Sequence, residues 1–91
     1  MQEQYKKKRQ ELSKALSEVI SDLRQKSKKS ANLFANEIEI SKTTILKMEK
    51  GFLDPQLSTF CRIASALNIS PSKLLSLIEK KLPQGWNFLD I

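Results

Sequence analysis

The chain has 91 residues, of which 16 are Lys or Arg and 10 are Asp or Glu, giving a formal net charge of +6. This length supports one small domain with a single core, and the positive charge is typical of proteins that bind nucleic acids. With no histidine, one cysteine and two glycines, the sequence lacks a catalytic histidine, an internal disulfide and a glycine-rich phosphate loop. We therefore expect neither an enzyme nor a metal or cofactor site.

The first helix is predicted over about residues 4–26. Its apolar positions follow the helical period and are Tyr5, Leu12, Leu16, Val19, Ile20 and Leu23. The basic run at residues 6–9 is not followed by an apolar segment. We therefore expect neither a signal peptide nor a membrane span. A cytoplasmic location is the expectation that follows. A basic amphipathic helix is also typical of membrane-surface attachment, but here its apolar face is needed for the core and contains no tryptophan or phenylalanine.

Two short helices around a tight turn are predicted over residues 31–37 and 42–50. Their expected core positions are Leu33, Phe34, Ile38, Ile45 and Met48. The hydroxyl of Ser41 can cap the start of the second helix. Gly51 and Asn68 fit the left-handed position that closes a helix.

The outer face of the second short helix carries long cations and hydroxyls. Its residues are Lys42, Thr43, Leu46, Lys47 and Lys50. Such a face suits the major groove, where these groups can donate to guanine and to phosphate. The pattern therefore predicts a helix-turn-helix reader of DNA, and a solvated cationic hairpin is the alternative interpretation.

The last two helices are predicted over residues 56–67 and from the cap Ser70 to a point before Pro83. The fourth helix has apolar residues at i, i+3, i+4 and i+7, namely Phe60, Ile63, Ala64 and Leu67. Within it we expect Cys61 to be a small buried thiol. The fifth helix has Pro71 at its first position, and its expected core residues are Leu74, Leu75 and Ile78.

The last ten residues, 82–91, form a tail separate from a domain that covers residues 1–81. A proline and a glycine break the helix, and the large apolar residues Trp86, Phe88, Leu89 and Ile91 follow. They are too many to leave in water. Three arrangements remain open: packing on the extra N-terminal turns near Tyr5 and Leu12, exchange with a second subunit, or docking onto a different protein.

The sequence around the hairpin resembles the Cro and phage-repressor type helix-turn-helix family, also called the XRE family. The resemblance covers roughly residues 16–78 and rests on Leu23-Arg24, Ile40-Ser41, Met48-Glu49-Lys50-Gly51, Pro55, Phe60, Ile63-Ala64, Ala66-Leu67, Ile69-Ser70 and Leu74. It implies an all-α, five-helix phage-repressor-like DNA-binding domain with a helix-turn-helix core at about residues 31–50. The extended first helix and the aromatic tail are additions. It also implies a buried ion pair between Arg24 and Glu49.

Three departures from the family pattern change the expected contacts. Glu39 stands in the turn where glycine is usual, which implies a strained or slightly different turn. The family often begins the first hairpin helix with Ser-Gln, whose glutamine bonds a phosphate, whereas this chain has Ser30-Ala31. The commonly basic segment after the second helix reads Phe52-Leu53-Asp54. We therefore expect phosphate contacts at Lys28 and Lys29, with Phe52 and Leu53 left to pack or to meet a partner.

The resemblance implies a transcriptional regulator that binds double-stranded DNA as a twofold homodimer on an inverted repeat, with repression as the expected role. Lys42, Thr43 and Lys47 would face base edges, and Thr44 and Lys50 would hold phosphates. The full set of candidate DNA-binding residues is Lys28, Lys29, Ser30, Ser41, Lys42, Thr43, Thr44, Leu46, Lys47 and Lys50. The alternative function is a protein-interaction module, such as an antitoxin or a co-regulator, that acts through its tail.

Overall fold

The computed structural model describes residues 2–89, and its regular elements are five α-helices. They are α1 (Gln2–Lys26), α2 (Ala31–Ile38), α3 (Lys42–Glu49), α4 (Leu57–Ala66) and α5 (Pro71–Lys80). Each predicted helix is present, and the all-α, five-helix prediction is confirmed.

The long α1 organises the other helices around one core. α1 packs against α3 and α5, α2 packs against α3 and α4, and α4 packs against α5. The largest fully buried side chains come from all five helices and are Ile20, Phe34, Ile38, Ile45, Met48, Ile63, Leu74 and Ile78. Each such side chain contributes about 1.5–3 kcal/mol on burial, so the α2–α3 hairpin is held rigidly on the rest of the domain.

Some apolar positions expected in the core lie outside it. Leu33 is 48% exposed and Leu75 is 49% exposed. A helix turns about 100° per residue, which here directs Phe34 and Leu74 into the core and their neighbours Leu33 and Leu75 towards the surface. Cys61 is only partly buried, and Tyr5 is exposed on the first turns of α1.

The predicted helix ends are confirmed by their hydrogen bonds and backbone angles. The hydroxyls of the predicted caps Ser41 and Ser70, and that of Ser30, which was not predicted as a cap, each accept the backbone N–H three residues on, at 3.1 Å. A cap of this kind contributes about 1 kcal/mol. Gly51, with φ of +82°, and Asn68, with φ of +59°, take left-handed conformations after α3 and α4.

The turn between α2 and α3 is strained, as its sequence implies. Glu39 has φ of +60° and ψ of +42°, a left-handed conformation that costs a residue with a Cβ about 1–2 kcal/mol. The turn is closed by the N–H of Ile40, which donates to the carbonyl oxygen of Ala35 at 3.0 Å. This hydrogen bond helps to keep Glu39 in a conformation that glycine would adopt without strain.

A buried ion pair fixes α3 to α1, and this prediction is confirmed. The Nε and Nη2 of Arg24 donate to the two carboxylate oxygens of Glu49 at 2.5 Å and 2.9 Å. The side chains are only 14% and 10% exposed. Hydrogen bonding to Glu49 raises the pKa of Arg24, against the opposing effect of burial. Nη1 donates to the carbonyl oxygen of Lys29 at 2.8 Å, so one guanidinium joins α1, α3 and the loop before α2.

The tail packs on the first turns of α1 within the same chain. The rings of Trp86 and Phe88 meet edge to face at 5.1 Å, and Phe88 lies 5.5 Å from the ring of Tyr5. The Nε1 of Trp86 donates to Glu11 at 3.1 Å, and the ammonium of Lys8 lies 5.5 Å from the Trp86 ring. This is the first of the three predicted arrangements. Leu89 remains exposed, contrary to expectation, and Ile91 lies outside the described residues.

Candidate nucleic-acid interface

The site is the outward face of α3. Ile45 and Met48 are buried on its inner face, which directs an opposite set of side chains to the surface. The exposed residues are Lys42, Thr43, Leu46, Lys47 and Lys50, the set that the helical period predicts. Ser41 is also exposed, and Thr44 is half-buried, with 2.8 Å between the two hydroxyl oxygens.

This face is positively charged because the one carboxylate of α3, that of Glu49, is neutralised internally. Lys42, Lys47 and Lys50 are exposed, whereas Glu49 is held by Arg24 in the buried pair. The three ammonium groups therefore act without a competing anion on α3 itself. A helix that combines donors with an apolar side chain, here Leu46, matches the acceptors and thymine methyl groups of the major groove.

A second cationic position lies at the start of α2. Lys28 is exposed in the loop between α1 and α2 and has φ of +58°. Ser30, the next exposed residue along the loop, caps α2 with its side chain. Free N–H groups at a helix start favour anions, so Lys28 and the start of α2 form a second candidate anion site.

Lys29 has an internal role, which differs from the expected phosphate contact. Its Nζ donates to the carbonyl oxygen of Ala66 at 2.6 Å and lies 2.8 Å from the Glu37 carboxylate. The Lys29 side chain is only 18% exposed. A cation at a carbonyl in the last turn of α4 is favourable because the C-terminal end of a helix is negative. We therefore assign Lys29 to holding the loop against α4.

A cleft that we did not predict lies between α1 and the loop after α3. It is lined by Lys6, Arg9, Gln10, Ser13, Gly51, Phe52 and Asp54. The spacing i, i+3, i+4 and i+7 of the polar residues between positions 6 and 13 indicates that they share one face of the helix. The spacing does not indicate which later segment packs beside that face, because the loop lies more than 35 residues further along the chain.

The helix-turn-helix family model HTH_3 matches residues 20–74, more than half of the chain. The chain belongs to the HTH_3 helix-turn-helix family. This assignment confirms the family resemblance. No curated protein matches it in sequence.

A solved structure shares the fold of this HTH_3 member. The crystal structure of an HTH_3 family transcriptional regulator from Vibrio cholerae superposes with a TM-score of 0.72 at 23% sequence identity. The match covers 90% of this chain and 46% of that chain, so the chain spans less than half the length of its structural neighbour. At this identity the likeness concerns the fold.

Between residues 2 and 89, no group of three or more His, Cys, Asp or Glu side chains could hold a metal ion. Over the same residues, no helix has the length and apolarity needed to cross a membrane.

Proposed function

We propose that this HTH_3 protein is a sequence-specific transcriptional repressor that acts in the cytoplasm and binds an inverted repeat as a homodimer. The observation that carries the proposal is the exposed cationic and hydroxyl-bearing face of α3 on a rigid frame. α3 enters the major groove, and the Arg24–Glu49 pair sets its angle to the rest of the domain.

Base recognition comes from three residues of α3. Lys42 and Lys47 donate to guanine acceptors, and the methyl group of Thr43 contacts a thymine methyl. Leu46, 40% exposed between them, adds an apolar contact to thymine. Each good base contact contributes about 1–3 kcal/mol of discrimination.

Phosphate contacts surround these base contacts and set the register. Lys28 and Ser30 hold the backbone at the start of α2, while Ser41, Thr44 and Lys50 hold it at the two ends of α3. Such contacts carry no sequence information but fix the orientation of the protein on the duplex.

A second copy covers an apolar groove between α1, α4 and α5. The groove holds about 280 Å³ and is lined by Leu12, Leu16, Asp54, Pro55, Leu57, Phe60, Leu75 and Ile78. Two of these lining side chains protrude into solvent: Leu57 is 78% exposed and Leu75 is 49% exposed. Because each copy presents both protruding leucines and a groove, a twofold axis lets the same surface pack on itself. To read an inverted repeat, the dimer must hold its two α3 helices about 34 Å apart, one helical turn of DNA.

Selection of bound duplexes from a random pool tests DNA reading. We expect an enriched inverted repeat whose half-sites are centred about 10 bp apart. A pool that stays random under conditions where the protein binds DNA would contradict sequence-specific recognition.

Sedimentation of two matched variants tests the dimer. Leu75→Glu places a charge in the groove and should give monomers that bind the inverted repeat weakly. Leu33→Glu is the control, since Leu33 is 48% exposed on α2 and does not line the groove. Equal masses for the two variants would contradict this interface.

The protein-interaction module remains as a second candidate because apolar side chains outside the groove and the α3 face are also exposed. Phe52 and Leu89 are each 74% exposed. A mobility-shift titration with salt separates the candidates, since a DNA reader loses affinity steeply as salt rises and an interaction module shows no shift at any salt.

A further inference from the structure

We propose that Lys6 and Arg9 form a second phosphate site, which binds the sugar–phosphate backbone of DNA flanking the half-site that α3 reads. This inference rests on the proposed function and extends its contact surface to α1. The ligand class is the phosphodiester group, recognised by shape and charge and without base specificity.

The site is the cleft between α1 and residues 51–54. It holds about 250 Å³ and includes Lys6, Arg9, Gln10 and Ser13 along one face of α1. Gly51 directly follows the last turn of α3, and a Cβ there would lie 3.6 Å from the Cα of Lys14. The loop therefore rests on the backbone of α1, and the cleft opens beside the C-terminal end of α3.

Arg9 is already positioned at this cleft. Its Nε lies 3.2 Å from a carboxylate oxygen of Asp54. This bond uses one of the five N–H donors of a guanidinium, and the planar terminal amino groups suit the two oxygens of a phosphate. Lys6, one turn earlier and exposed, adds a second cation. Together with Asp54 they leave the cleft with a net charge of +1.

The loop after α3 contributes no cation to the cleft, so the positive charge of the cleft comes from α1. After Lys50 the loop reads Gly51-Phe52-Leu53-Asp54, so the positive surface of α3 would stop at the end of that helix. The extra N-terminal turns of α1 bring two cations to the same place. The aromatic tail occupies a different side of α1, through Lys8 and Glu11, and leaves this face open.

The test compares two doubly substituted proteins that lose the same charge. Lys6→Ala/Arg9→Ala removes the proposed site. Lys7→Ala/Lys80→Ala is the control, because both lysines are exposed and neither lines the cleft. Circular dichroism checks that each variant folds. The probe is the duplex enriched from the random pool or, if none is enriched, a mixed-sequence duplex.

Salt dependence is the quantitative readout. Losing two phosphate contacts should make the negative slope of log K against log salt shallower by about 1.8, whereas the control should keep the parent slope to within about 0.5. Individual phosphates of the duplex can also be ethylated. At some phosphates outside the α3 footprint, ethylation should weaken DNA binding by the parent protein and leave the DNA affinity of Lys6→Ala/Arg9→Ala unchanged.

The outcomes separate this inference from the proposed function. Equal slopes for the two variants, with the sequence preference of the parent intact, would overturn the second phosphate site alone. A parent protein that binds no duplex would overturn both. Loss of binding to vesicles containing phosphatidylglycerol in Lys6→Ala/Arg9→Ala, with an unchanged DNA slope, would replace the phosphodiester backbone with a lipid surface as the ligand.

Discussion

Replacing Glu49 by alanine should be among the most damaging single changes in this protein. The guanidinium of Arg24 is bonded to both oxygens of Glu49 and is only 14% exposed. Without the carboxylate, a buried charge keeps its bond to the carbonyl oxygen of Lys29 but loses its counter-ion. Breaking a buried pair in this way costs about 3–5 kcal/mol, a large share of the roughly 5–15 kcal/mol that stabilises a domain.

Urea unfolding followed by circular dichroism measures this cost. Glu18→Ala is the matched control, since Glu18 also pairs with a cation across helices, at 3.9 Å from Lys81, but both side chains are about half exposed. We expect the control to lose about 0–1 kcal/mol. The double variant Arg24→Met/Glu49→Leu should recover most of the stability because no unpaired charge remains. A loss below about 1 kcal/mol for Glu49→Ala, equal to that of the control, would refute the reasoning.

Three further predictions concern α3, the turn and the tail. Lys47→Ala should relax preference at one operator position by about 1–3 kcal/mol, whereas Lys28→Ala should weaken all duplexes alike and lower the salt slope by about one, as measured by fluorescence anisotropy; equal effects on specific and random DNA would contradict the assignment. Glu39→Gly should stabilise the protein by about 1 kcal/mol because it relieves the left-handed strain, and an unchanged or lower melting temperature would count against strain at the turn. Deleting residues 86–91 should cost about 1.5–3 kcal/mol, since two partly buried aromatic rings are removed, while sequence preference stays unchanged; a truncated protein with the parent melting temperature would show that the packed tail contributes no stability.

Much of the fold was predictable because its signals are local. The serine caps at Ser30, Ser41 and Ser70 and the closing residues Gly51 and Asn68 act on the neighbouring turn of backbone. Helix bounds were therefore predicted to within two residues. The burial of Ile45 and Met48, which leaves the opposite face of α3 exposed, follows from the same local period.

Features that depend on distant partners were not predictable. The spacing on α2 cannot decide between Leu33 and Phe34, because the choice depends on where α3 and α4 lie. The role of Lys29 depends on Ala66, 37 residues later, and the cleft at Arg9 depends on Asp54, 45 residues later. The Arg24–Glu49 pair is also distant, and it was predicted through the family resemblance.

The packing of the tail has a consequence for the entropy of DNA binding. The first turns of a helix fray in water when nothing holds them, and the 25-residue α1 extends along much of the 40 Å length of the molecule. The bond from Trp86 to Glu11 and the ring of Phe88 beside Tyr5 keep those turns helical before any ligand arrives. At the proposed phosphate site, the backbone ordering cost of Lys6 and Arg9 would then be incurred on folding and not on association. A segment that touches no DNA would thereby strengthen DNA binding through preorganisation.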